Sequence, residues 1–208
     1  LMLKVYNDTH CGVIRSAGTT PRTQWELRQW NLGLFASLFE HAPHDDVMVL
    51  GDLFDTFSIP LSDFWAVYQT LADWLEYGNL RQRLYLVAGN HDLSKTSTTM
   101  SSFHLLVQLL KSRYPTQVVA ILEPTEIPYG YVIPHLPNQD LFDAALAEVP
   151  ECETLFLHCN YDNNFAAESD QSLNLTKEQA ARVPVKYIVI AHEHQTKVVG
   201  NRIFIPGN

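Results

Sequence analysis

The stretch "AHEHQT", residues 191–196, follows the apolar run "VKYIVI" and sets His192 and His194 two positions apart at the end of an expected strand. In an extended segment residues i and i+2 share a side, so both imidazoles face the same way, an arrangement suited to chelating a metal. Other apolar segments end similarly. "LKVY" runs into "NDTHCG" with Asp8 and His10, "VMVL" into "GDLFD" with Asp52, "RLYLVA" into "GNHD" with Asn90 and His91, and "ETLFLH" closes on His158. Each piece alone has an ordinary explanation: an Asp after a strand is commonly a turn former, and a lone His is commonly a satisfied core residue. Independent turns do not explain why every one carries Asp, Asn or His. In open α/β sheets ligands collect beyond the carboxyl ends of the strands, so these residues are expected to converge on one site although they are spread over most of the chain.

The donors are carboxylates, imidazoles and one amide, with no thiolate, which suits Mn, Fe, Zn or Mg better than a structural zinc–cysteine site. Asp8, His10, Asp52, Asn90, His158, His192 and His194 make seven donors, too many for one ion, and fit two divalent ions sharing Asp52. Such a pair, typically ~3.5–4 Å apart, clamps the attacking and leaving oxygens of an in-line phosphoryl displacement and lowers the pKa of bridging water. The reaction class is metal-assisted hydrolysis of a phosphoester. Asp55 is expected to support the site by orienting a ligand, and Cys11 and Cys159 to pack beside it. Arg15 is a candidate phosphate contact, although a solvated loop arginine is the plainer reading.

The elements that must position these residues alternate. "TQWELRQWNLGLFASLFEHA" has helical apolar spacing, with Thr23 as N-cap, and "SDFWAVYQTLADWLEYG" predicts a second helix from near Ser62 to Gly78. "SSFHLLVQLLKSRY", "QDLFDAALAEV" and "TKEQAARV" predict further helices, "QVVAIL" a strand, "EIPYGYVIPHL" two short antiparallel strands, and "TKVVGNRIFIPG" a hairpin turning at Gly200 and Asn201. Residues 160–174, "NYDNNFAAESDQSLN", are polar and without periodicity and predict a loose segment. Alternating strands and helices imply an α/β layer structure with mixed sheets.

A chain of 208 residues suits one domain, and no apolar run approaches the ~20 residues needed to span a bilayer. The start, "LMLKVYND", lacks the pattern of a secretory signal, and three cysteines with no C-x-x-C spacing predict reduced thiols in a cytoplasmic setting. A net charge of −9 with no basic block argues against an extended phosphate-gripping surface, although part of the acidic excess belongs to the expected metal site.

The ordered set "DTH", "GDLFD", "GNHD", a lone His and "HEH", from Asp8 to His194, resembles the calcineurin-like metallophosphoesterase superfamily. The resemblance implies an αββα sandwich of two mixed β-sheets flanked by helices. It assigns one metal to Asp8, His10, Asp52 and His194 and the other to Asp52, Asn90, His158 and His192. It makes His91 the proton donor or transition-state stabiliser, with Asp92 orienting it. Ala191 stands where the family usually has Gly, and its small size carries little consequence.

Within the superfamily, "DTHCG", "GDLFD", "GNHD" and "AHEHQ" followed by "IFIPGN" are similar to the SbcD-type nuclease subunit of DNA double-strand-break repair. That resemblance implies a DNA exonuclease or endonuclease using two divalent ions, Mn first among them, with an ATPase partner subunit and a homodimer as candidate partners. In that group the last strand leads into a DNA-capping domain, so residues 1–208 are expected to be one metallophosphoesterase domain, either lacking its cap or naturally without one. The alternatives are a general phosphodiesterase or phosphomonoesterase on nucleotides or phosphoproteins, and a noncatalytic scaffold, which would tolerate loss of the donors and His91. The loops over 13–22, 93–102 and 160–175 declare no substrate; the aromatics of "NYDNNF" could stack on a base, but packing is the plainer use.

Overall fold

The computed structural model describes residues 2–13, 20–93, 99–163 and 172–207. Strands β1 (Leu3–Tyr6), β2 (Asp46–Leu50), β3 (Leu84–Val87) and β4 (Val118–Ile121) pair in that order, every pair parallel. Parallel strands covered on both faces need continuous apolar runs, and β2 and β3 are buried at every position. The crossovers carry the helices α1 (Pro21–Glu40), α2 (Leu61–Tyr77) and α3 (Ser102–Arg113). Alternation along the strands then makes two faces. Val47, Val49, Leu84 and Leu86 pack with Phe35 and Phe39 of α1, Val67 and Leu71 of α2, and Phe103 and Leu106 of α3. Met48, Leu50, Tyr85 and Val87 pack the other way, against Val132 and Phe156 of the second sheet.

After β5 (Thr125–Ile127), β6 (Gly130–Ile133), α4 (Gln139–Ala147) and β7 (Cys152–His158) come β8 (Asn160–Tyr161), β9 (Asn174–Leu175) and α5 (Lys177–Arg182). The described chain closes with β10 (Val185–Ala191), β11 (Lys197–Val199) and β12 (Ile203–Ile205). The second sheet runs β11-β12-β10-β7-β6-β5, parallel inside and antiparallel at both outer pairs. Its outer face packs Leu155, Leu157, Ile188 and Ile190 against Phe142 and Leu146 of α4 and Ala180 of α5. The layers are therefore helix, sheet, sheet, helix, as expected, but mixing is confined to the second sheet. Helical crossovers force parallel pairing in the first, whereas the turn into Gly130 and the Gly200–Asn201 turn (φ 58° and 56°) make tight antiparallel corners in the second.

Two local expectations change. The cap of α1 is Thr20, whose hydroxyl accepts from the Thr23 amide at 3.3 Å, because Pro21 at the first helical position moves the start upstream. The ends of residues 160–174 are also not loose: β8 and β9 pair in parallel, since Tyr161, Leu173 and Leu175 are buried in the outer core of the second sheet. Among the described residues, no helix is long and apolar enough to cross a membrane.

One ion pair fixes α1 against α2. Arg28 donates through Nε and Nη2 to the two carboxylate oxygens of Asp63, both at 2.7 Å, and Asp63 is fully buried in the first turn of α2. Arg28→Met strands that carboxylate, although Ser62 and the helix N-terminus still support it. The expected cost is about 3 kcal/mol, read as a lowered midpoint of urea unfolding. An unchanged midpoint would mean the helices are held by apolar packing alone.

Candidate metal centre

The loops that follow β1 and β2 are joined as a short parallel ladder. Asp8 N donates to Gly51 O at 3.3 Å, His10 N to Asp52 O at 3.0 Å, Cys11 N to Leu53 O at 2.8 Å and Asp55 N to Cys11 O at 3.1 Å. This ladder requires unusual backbone. Asp8, His10, Asp52 and His192 have φ of 48°, 43°, 48° and 91°, so four of the six described non-glycine residues with positive φ belong to the expected donor set. Left-handed backbone at such residues costs on the order of 1–3 kcal/mol each and persists only where the surroundings impose it. Two glycines make the necessary room: a Cβ on Gly51 would overlap the His158 imidazole, and one on Gly89 would overlap Asp52.

All seven expected donors come together. Asp8, His10 and His194 form one group, and Asp52, His158 and His192 another, with the donor atoms of each within 4.8 Å of one another. Asp52 borders both, its Oδ2 lying 4.0 Å from His10 Nε2 and 3.3 Å from His158 Nε2. Asn90 Oδ1 is 3.0 Å from His158 Nε2, which adds it to the second group. The adjacent strands β7 and β10 pair Ala191 with His158, and the next residue, His192, brings its ring to 5.1 Å from that of His158. His194 instead stacks on His10 at 5.4 Å. Glu193 between them accepts from the Tyr161 amide at 2.6 Å; the segment lies past the end of β10 and His192 has φ 91°, so a turn, not extended spacing, sends the two imidazoles to different groups.

His91 and Asp92 separate. The His91 amide donates to Asp52 Oδ1 at 3.0 Å, and ring Nδ1 donates to the carbonyl of Asp55 at 2.6 Å. The expectation that Asp92 orients His91 is corrected here. The Asp92 carboxylate, fully buried, accepts from the amides of Leu53 at 3.3 Å, Phe54 at 3.0 Å and Gly89 at 2.9 Å. It clamps "GDLFD" to "GNHD", while the backbone of Asp55 orients His91. The Asp55 carboxylate meets His10 Nδ1 at 3.4 Å, the pattern of a carboxylate behind a metal-ligating histidine. His10, Asp55 and His91 also form a third group of donor atoms, overlapping the first at His10.

The donor chemistry fits divalent metal. His158 Nδ1 lies 3.3 Å from the Leu50 carbonyl and donates to it, so Nε2 faces Asp52 and the Asn90 oxygen. Three electron-rich atoms then meet, and a cation or a proton must sit among them. Both ring nitrogens of His10 are buried with no hydrogen-bond partner among the described residues, yet they face carboxylates. Burial opposes charge on His158, but Asp52 and then Asp8 outweigh it and push its pKa up to about 9. Burial likewise opposes charge on Asp52, and the His158 imidazolium outweighs it, holding the carboxyl well below the usual range. Burial drives the thiols of Cys11 and Cys159 far up, so neither offers a thiolate. Over residues 2–196 the sequence matches the family model of calcineurin-like phosphoesterases. The chain belongs to that family. A comparison with curated proteins finds no match.

Membership makes the chain a metal-dependent phosphoester hydrolase, and its geometry adds residues that sequence reasoning missed. Asn7 Nδ2 donates to Asp8 Oδ2 at 2.7 Å and to the Gly207 carbonyl at 3.0 Å, tying the last described turn to the phosphoesterase site. The glycines before Asp52 and Asn90 were visible in "GD" and "GN" as spacers, but nothing marked Asn7. Tyr161 is buried, so it packs as the plainer reading had it; Arg15 and Phe165 lie outside the described residues.

In the metal-free phosphoesterase His158 is protonated below its raised pKa of about 9, and a metal must displace that proton. Calorimetric titration with Mn²⁺ near neutral pH, in buffers of different ionisation enthalpy, is expected to show release of about one proton. A buffer-independent heat would contradict this. Asp92→Asn places an NH₂ against at least one amide donor. It is expected to cost about 1–3 kcal/mol of stability and to weaken Mn²⁺ binding roughly 10–100-fold, with unchanged binding excluding the clamp.

Proposed function

We propose that this phosphoesterase is a two-metal phosphodiesterase of the SbcD type, a DNA exonuclease or endonuclease with Mn as its metal. The observation that supports two ions is the place of Asp52, whose Oδ2 is 4.0 Å from His10 Nε2 and 3.3 Å from His158 Nε2, so one carboxylate serves both groups. In this reading Asp8, His10, Asp52 and His194 hold one ion, and Asp52, Asn90, His158 and His192 the other. Such ions neutralise charge on phosphoryl oxygens and lower the pKa of water. The absence of thiolate among the donors favours Mn over a soft-ligand metal.

The protein's own part falls to His91. Its Nδ1–H is committed to the Asp55 carbonyl, which leaves Nε2 as the ring atom that meets substrate. Protonated there, it hands a proton to the leaving oxygen, a contribution of typically ~10²–10⁴-fold. The DNA reading rests on the motif order shared with SbcD-type nucleases. Net charge of −9, and a site cavity with no Lys or Arg among its described lining residues, favour a second reading, a general phosphodiesterase or phosphomonoesterase on nucleotides. Three free cysteines support a reducing, cytoplasmic setting for either.

The test is hydrolysis, with Mn²⁺ and with a chelator, of bis-p-nitrophenyl phosphate and of end-labelled duplex and single-stranded DNA. Mn-dependent loss of DNA is expected; cleavage of the small diester alone would install the second reading. His91→Asn is expected to keep its Mn²⁺ and lose about 10²–10⁴-fold in kcat. Full activity in that variant would remove His91 from the chemistry.

A further inference from the structure

The metal centre opens into a cavity of ≈ 790 Å³ with two unlike ends. One end is lined by Asp8, His10, Asp55, His91 and His194. The other is a wall of α1, where Leu27, Trp30, Leu34 and Leu38 recur at three- and four-residue spacing, with Val13 also in the lining. The same helix buries Phe35 and Phe39 in the core, yet leaves Trp30 63% and Leu34 46% exposed beside the donors. Exposed apolar area of that kind beside a reactive centre marks a binding surface.

The wall restricts what can lie on it. No Lys or Arg is among the described residues lining the cavity, so none of those residues pairs a second phosphate. Trp30 and Leu34 put exposed apolar surface on this wall; an alkyl chain lying on it would stay half in water, whereas a planar ring can cover an exposed indole and turn its own polar edges to solvent. Asn31 and Ser37 at the rim are neutral and polar. The volume lies within the range of sites for a single small ligand and suits one nucleoside beside its phosphate.

We propose that Trp30 is a stacking platform for the nucleobase attached to the scissile phosphate, so that the enzyme selects nucleotidyl diesters whose base is free of its neighbours, as at strand ends and in single strands. This rests on the phosphodiesterase reading above and adds its substrate class. A base within a duplex has both faces covered and cannot lie on α1 without leaving the stack. Base–aromatic stacking tolerates every base, so Trp30 confers preference for a nucleotide without preference for sequence.

The test compares kcat/KM for the p-nitrophenyl ester of thymidine monophosphate with that for methyl p-nitrophenyl phosphate, in Mn²⁺, for the wild type, Trp30→Ala and Trp30→Phe. The wild type is expected to prefer the thymidine ester; Trp30→Ala lowers that preference about tenfold, and Trp30→Phe retains most of it. An equal preference in wild type and Trp30→Ala, or no preference in the wild type, overturns the platform and leaves the phosphodiesterase reading standing. Hydrolysis of neither ester by the metal-loaded wild type overturns that reading and this inference with it.

Discussion

A buried carboxylate sets the terms for the rest of the structure. Asp52 is 1% exposed and sits where the carboxyl ends of both sheets meet. An unpaired charge in such a place costs far more than a domain can spare, so it must be compensated on every side. The His91 amide supplies one contact from the first sheet and His158 another from the second. The sandwich therefore cannot slide: a one-residue slip of β7 against β10 would turn His158 or His192 to the outer face and leave Asp52 uncompensated. Core packing between Met48, Leu50, Val132 and Phe156 supplies adhesion between the sheets, and the carboxylate supplies their register.

Compensation has a cost in backbone strain. Asp8, His10, Asp52 and His192 adopt left-handed φ because a chain leaving a strand in its extended course would carry those side chains past the site. The strain is held by the ladder between the first two loops and by the three amides bound to Asp92. Asp92 is itself pushed up to about 7, by burial first and then by Asp52, so the clamp weakens as its proton returns. Metal-centre geometry and loop stability are thus parts of one balance.

Much of this is legible in the sequence. Sandwiched parallel strands have to be apolar at every position, so "VMVL" and "RLYLVA" announced themselves, and the donors followed because each stands at a strand's carboxyl end. What stayed hidden depended on partners distant in the chain. Asp92 neighbours His91 in sequence, which invited a local role, but its carboxylate serves amides at Leu53 and Phe54, 39 and 38 positions away. Trp30 was hidden for the opposite reason, since helical spacing alone does not tell a core-facing stripe from one that borders a cavity. Thr23 lost the cap to Thr20 because a proline at position 21 outweighs the choice between two threonines.

The acidic balance of the chain and its expected anionic substrate are reconciled at the same carboxylates. With a net charge of −9 and no Lys or Arg among the described residues of the cavity, those residues offer a phosphate no fixed basic partner. Asp8 and Asp52 instead gather cations: a proton on His158 when metal is absent, and divalent metal when it is bound. The negative charges do not need to be overcome by basic residues, because the ions they collect invert the local sign at the one place where a phosphoryl group must sit. Among the described residues, attraction is then confined to the metal centre. That leaves recognition of the rest of the substrate to uncharged contacts, and the exposed face of α1 is the part of the described cavity able to provide them.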